Sequence, residues 1–105
     1  MPAYAITSAR IDETNGRVTH VGWGRISTNV TGWDVQPREC PVIEVVGALK
    51  AGNIVCTIFR EACRVVPGAD VRIVSYPEGV EGIETVDTEG NRGRTLADLP
   101  AIGEE

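Results

Sequence analysis

The sequence is short of the residues on which most small-protein chemistry depends. It holds one histidine, His20, and three cysteines, Cys40, Cys56 and Cys63, with no Cys-x-x-Cys pair among them. An odd cysteine set without a secretory leader argues against a disulfide framework, so the three read as reduced thiols. The seven-residue step from Cys56 to Cys63 is not a zinc-knuckle spacing, and neither a metal nor another cofactor is expected. Long apolar runs are missing as well, which excludes a membrane-spanning helix. The opening "MPAYAITSAR" has no basic segment followed by an apolar stretch, and the expected setting is cytoplasmic. Nor is there a basic patch. Residues 1–77 carry 8 Lys/Arg against 7 Asp/Glu, a balance of +1, whereas residues 78–105 carry 2 against 8, a balance of −6. A phosphate backbone would find no footprint here, so nucleic acid is excluded as a partner.

What is present is an ordinary globular composition, 42% hydrophobic and 24% charged over 105 residues. That is one domain, expected over residues 1–100 with 101–105 frayed, and long enough to bury roughly 65% of its unfolded surface. Residues 4–11 read as a strand. Asn15-Gly16 supplies a hairpin turn, and "RVTHVGWGRI" (17–26) reads as the return strand. Gly22 and Gly24 on either side of Trp23 point to a bulge or a close backbone approach. Residues 27–37 read as a polar loop holding Trp33. Val42, Val45, Val46 and Leu49 then repeat at helical spacing, with Ile43 widening the stripe. Pro41 sets that helix's start near residues 38–41, and Lys50 and Gly52 mark its end.

"NIVCTIFR" (53–60) is apolar on both faces and belongs at the centre of a sheet. Residues 61–69 read as a connection with a Pro-Gly turn, 70–76 as a strand, and 83–88 as a last short strand. Thr95 and Asp98 stand as N-cap and N3 of a single helical turn. Leu96 and Leu99 share its one side, and Pro100 stops it. The expected fold is α+β, a mainly antiparallel sheet of four to five strands with one amphipathic helix, in the order β-β-α-β-β-(β).

An N-G turn between two opening strands, a helix ending "ALKAGN", a strand "IVCTIF", a V-x-I strand, a T-x-D-x-x-G segment and a terminal L-x-x-L-P follow in that order. This layout resembles a family of short, mostly bacterial proteins known as domain of unknown function 3892. Where that family carries Asp-Asn-Leu before its final Leu-Pro, this chain has Arg94, Thr95 and Leu96. In size the chain is also similar to products of mobile (integron) gene cassettes. The resemblance implies a fold and no chemistry.

Four residues are candidates for a ligand site: His20, Trp23, Trp33 and Cys40. Cys40 sits at the helix start, where the positive end of the dipole favours thiolate, and His20 is the one histidine that could serve it as base. The bland reading is a small residue at a helix start. Cys56, between Ile54 and Ile58, reads as a small hydrophobe. Trp23 and Trp33, with Arg25 nearby, can line a small-ligand pocket, although Trp23 shares a strand face with Val21 and also reads as a core anchor. Gly22-x-Gly24 lacks the third glycine and following helix of a dinucleotide fingerprint. "DTEGNRG" lacks the ligand spacing of a calcium loop. Two functions stay open. The first is a non-enzymatic interaction or adaptor domain acting as a homodimer, because one helix leaves part of a sheet uncovered. The second is a small-molecule binder or minor cysteine-dependent enzyme.

Overall fold

The computed structural model describes residues 3–26, 33–61, 64–86 and 95–102. Its strands are β1 (Ala3–Ile11), β2 (Val18–Ile26), β3 (Trp33–Pro41), β4 (Ile54–Glu61), β5 (Arg64–Ser75) and β6 (Glu81–Thr85). Helix α1 (Val42–Lys50) joins β3 to β4, and a short 3-10 turn spans Leu96–Asp98. The six strands form one sheet in the order β3-β2-β1-β4-β5-β6. Neighbours are antiparallel except β1 and β4, which run parallel over residues 3–6 and 54–57. The α+β class holds, with a mixed sheet of six strands in place of four or five. Among the described residues, no helix is long and apolar enough to cross a membrane.

The strand that sequence reasoning missed is β3. Residues 34–39 are all exposed, so "WDVQPREC" carries no apolar alternation to reveal it. It is an edge strand, and Pro37 and Pro41 are tolerated there because an edge has a side with no ladder to complete. The expected polar loop therefore ends before Trp33, and its residues 27–32 lie outside the described residues. The Pro-Gly turn placed in residues 61–69 is also corrected. Pro67 and Gly68 lie within β5, next to a register shift between Cys56 and Ile58, where a bulge accepts proline. The expected strand over residues 83–88 is β6, which runs from Glu81 to Thr85; residues 87–94 lie outside the described residues.

The opening turn is wider than two residues. Asp12 N–H reaches Arg17 O at 2.9 Å, and Gly16, at φ 71°, closes onto Asp12 O at 2.8 Å. The helix begins at Val42 with Pro41 as N-cap and ends at Lys50. Val45 and Val46 are fully buried against the sheet, with Val42 and Leu49 partly so. Ile43 does not widen the stripe: it is 62% exposed, one position off the buried face. The salt bridge from Lys50 to Glu81, at 2.5 Å, ties the helix C-terminus to β6.

The core lies between α1 and one face of the sheet. Ile6 and Ala9 of β1, Val21 and Trp23 of β2, Cys40 of β3, Val55 of β4, Val71 of β5 and Ile83 of β6 supply it. On β1 the side-chain parity changes between Ile6 and Ser8, opposite Trp23 and Gly22. This bulge lets Ile6 and Ala9 both face the helix while Ser8 faces away. On the far side β2 is stripped to glycine. A Cβ at Gly22 would collide with Ser8 Oγ, and one at Gly24 with the Val35 carbonyl oxygen and the Trp33 ring. The close approach expected at these two glycines is thus present, and β3 folds over Gly24.

The expected closing turn docks on β1. Leu96 and Leu99 join the core, the Asp98 carboxylate accepts both the Thr95 backbone N–H (3.0 Å) and hydroxyl (2.8 Å), and Ala9 N–H donates to Pro100 O at 3.1 Å. Ala101 bridges Ala9. Leu96→Ala is expected to cost about 2–4 kcal/mol, lowering Tm by roughly 10 °C or more. Thermal denaturation followed by circular dichroism checks this, and an unchanged Tm would mean that the turn is not part of the core.

Candidate functional site

A cleft of about 400 Å³ opens between α1 and the β3 end of the sheet. Its floor is an aromatic pair. Tyr4 of β1 lies opposite Arg25 of β2, and Trp23 opposite Ile6, so Tyr4 and Trp23 are diagonal neighbours on one face. Their rings stack with centroids 4.5 Å apart and planes 24° from parallel. Arg25 and Arg38 rise beside this floor, Arg38 directly across from Trp23. Glu44 and Ala48, one turn apart on α1, form the opposite wall. Asn53 stands at the rim, its Nδ2 donating to Ala48 O at 3.1 Å.

The charges around the cleft are incompletely matched. Arg25 Nε is buried with no hydrogen-bond partner, and the nearest carboxylate, Asp34 Oδ2, stands at 3.9 Å. That is an ion-pair distance beyond hydrogen-bonding reach. Arg38 makes no salt bridge among the described residues. Glu44 accepts the Cys40 thiol. The lining therefore carries two guanidinium groups against one carboxylate, in a chain whose net charge is −5.

The structure separates the four residues singled out from sequence. Trp23 is 92% buried in the core and also lines the cleft. Cys40 pairs with Val21 and His20 with Pro41, which puts the thiol on the helix face and the imidazole on the other. They form no dyad. His20 Nδ1 instead lies 3.1 Å from Thr19 Oγ1. Trp33 pairs with Ile26 and covers Gly24 on the face away from the helix, so the two tryptophans do not share a pocket. Cys56 is half-buried, its thiol 3.6 Å from Tyr4 O, and Cys63 lies outside the described residues. Among the described residues, no three His, Cys, Asp or Glu side chains gather as a metal-ligand set.

Sequence reasoning reached Trp23 and Arg25 but not Tyr4, Arg38, Glu44 or Asn53. Tyr4 meets Trp23 through the expected β1–β2 hairpin, whereas the parallel β1–β4 pairing and the edge position of β3, which bring in Asn53 and Arg38, have no local signal. What the arrangement can do chemically is hold a flat ring against Tyr4 and Trp23 and offer a cationic rim to an acid group. Compared with protein-family models, curated proteins and solved structures, the chain matches none.

At Cys40, burial overrides the helix dipole. Desolvation first, then the hydrogen bond to Glu44 and its charge, push the thiol up from 9.0 to about 12. The neutral thiol therefore stabilises the fold fully below pH 9, and that contribution is lost as pH rises toward 12. At pH 8 the folded chain holds roughly a thousandth of the thiolate of the unfolded one at this position. Peptide mapping after N-ethylmaleimide treatment is expected to find Cys40 modified only once the protein unfolds. Rapid labelling of Cys40 in the folded state would contradict the geometry.

Proposed function

We propose that the chain is a small non-enzymatic binding domain that holds a small molecule in the cleft between α1 and strands β1–β3. The observation that carries this reading is the stacked Tyr4–Trp23 floor beneath two arginines, one of them with a buried, unpartnered Nε. A concave, mostly preformed site with a few converging polar groups is the usual form of a ligand pocket. Its volume of about 400 Å³ suits a small metabolite. A cytoplasmic setting and kinship with the domain of unknown function 3892 family belong to the same proposal. They rest on the cysteine usage and the order of the motifs. Titrating a set of small acids, amines and alcohols into ¹⁵N-labelled protein is expected to shift the Trp23 indole N–H and leave that of Trp33 in place. Ala48→Phe, which fills the cleft from the helix side, is expected to abolish the shift with Tm changed by only a few degrees. Shifts confined to Trp33, or none, would contradict the reading.

A second reading, a self-associating interaction domain, draws on one specific feature. Ile26, Ala3 and Ile54 are paired across three strands and form an apolar row on the sheet face away from the helix. Ile54 in that row is 55% exposed. If a homodimer closes over it, Ile54→Lys converts dimer to monomer in light scattering coupled to size exclusion. A monomer at all micromolar concentrations in the unmodified chain would remove this reading.

A further inference from the structure

We propose that the cleft selects small planar aromatic monocarboxylic acids, an inference that rests on the ligand-site reading above and narrows it to a chemical class. The aromatic requirement comes from the floor. Tyr4 and Trp23 lie near-parallel at 4.5 Å and both line the cleft, where a third ring can extend the stack from the half-buried Tyr4. The acid requirement comes from Arg25. Its Nε is buried and meets no acceptor, while the side chain as a whole is 42% exposed and lines the cleft, which leaves the rest of the guanidinium to meet a ligand. A buried guanidinium N–H is costly until an oxygen accepts it, and a carboxylate matches the fork's geometry. Arg38 stands on the next strand across from Trp23 and has no carboxylate partner among the described residues, which supplies a second cation for the same group.

The single charge follows from the acids already present. Asp34 sits 3.9 Å from Arg25, and Glu44 lines the cleft from α1. Asp34 and Glu44 already match the two arginines in charge, so a dianion adds two uncompensated negative charges to the cleft and a monoanion only one. The overall charge of −5 does not draw acids to the protein, so the selection is local to these side chains. Size sets the upper limit. About 400 Å³ is near the small end of ligand pockets and holds one or two fused rings with a short acid arm.

The test uses the intact chain and three probes: 2-naphthoate, 2-naphthylmethanol and cyclohexanecarboxylate. The expected result is that 2-naphthoate shifts the Trp23 indole N–H and the Arg25 Nε–H signals, with the other two probes binding about tenfold or more weakly. Arg25→Gln is expected to weaken 2-naphthoate by about tenfold and leave 2-naphthylmethanol unchanged. Arg38→Gln serves the same purpose if Arg25→Gln fails to fold. Equal binding of 2-naphthoate and 2-naphthylmethanol at Trp23 would overturn the acid selection and leave the ligand site standing. Equal binding of 2-naphthoate and cyclohexanecarboxylate would overturn the aromatic requirement in the same way. A loss of both naphthyl probes in the arginine variant would assign Arg25 a structural role and overturn the inference. No shift at Trp23 with any probe would overturn both this inference and the site.

Discussion

The fold is governed by a mismatch of size between one helix and one sheet. Helix α1 has nine residues, about 13.5 Å of length and about 10 Å of width. Six strands set side by side span about 24 Å. The helix cannot cover that face, and the structure deals with two uncovered parts of it differently. Beside Ala9 of β1, the closing turn brings in Leu96 and Leu99 and pins itself by main-chain hydrogen bonding. Toward β3 nothing apolar fills the space among the described residues, and the surface there is finished with a stacked aromatic pair and long charged side chains. The cleft is the part of the face that α1 does not reach.

Within that region, relative magnitudes decide what each group does. A thiol beside a helix N-terminus gains some stabilisation of its charged form from the dipole, of the order of 1 kcal/mol. Burial at Cys40, reinforced by the Glu44 carboxylate, outweighs it, and the thiol stays neutral. The surface ion pairs, such as Arg17 with Glu78 at 2.6 Å, are exposed and add little on their own. Arg17 also lies 3.8 Å over the Tyr76 ring, which joins the β1–β2 turn to the β5–β6 turn by contact as well as charge. Arg25 differs from these. Its buried Nε lacks an acceptor, which is a cost to the fold.

Much of the fold is legible in the sequence where local chemistry and tertiary demand agree. The helix shows through Val42, Val45, Val46 and Leu49, the central place of β4 through its two apolar faces, and the closing turn through Thr95, Leu96, Asp98 and Leu99. Strand β3 does not show, because an exposed edge needs no apolar pattern and tolerates two prolines. Pro67-Gly68 misleads for a related reason, since a bulge lets a turn-like dipeptide sit within a strand. The site was half legible. Trp23 and Arg25 share one strand face and the expected hairpin sets Tyr4 beside them, whereas Arg38 and Asn53 join only through pairings that have no local signal.

The most direct measurement is a crystal structure of the protein with 2-naphthoate bound. The expected result is the ring in the cleft, its centroid about 4.5–7 Å from that of Tyr4 or Trp23, and a carboxylate oxygen about 2.7–2.9 Å from a guanidinium nitrogen of Arg25. A probe seated on the face away from the helix, or a cleft closed by its own side chains with Arg25 paired to Asp34, would contradict the central claim that this uncovered end of the sheet is a ligand site.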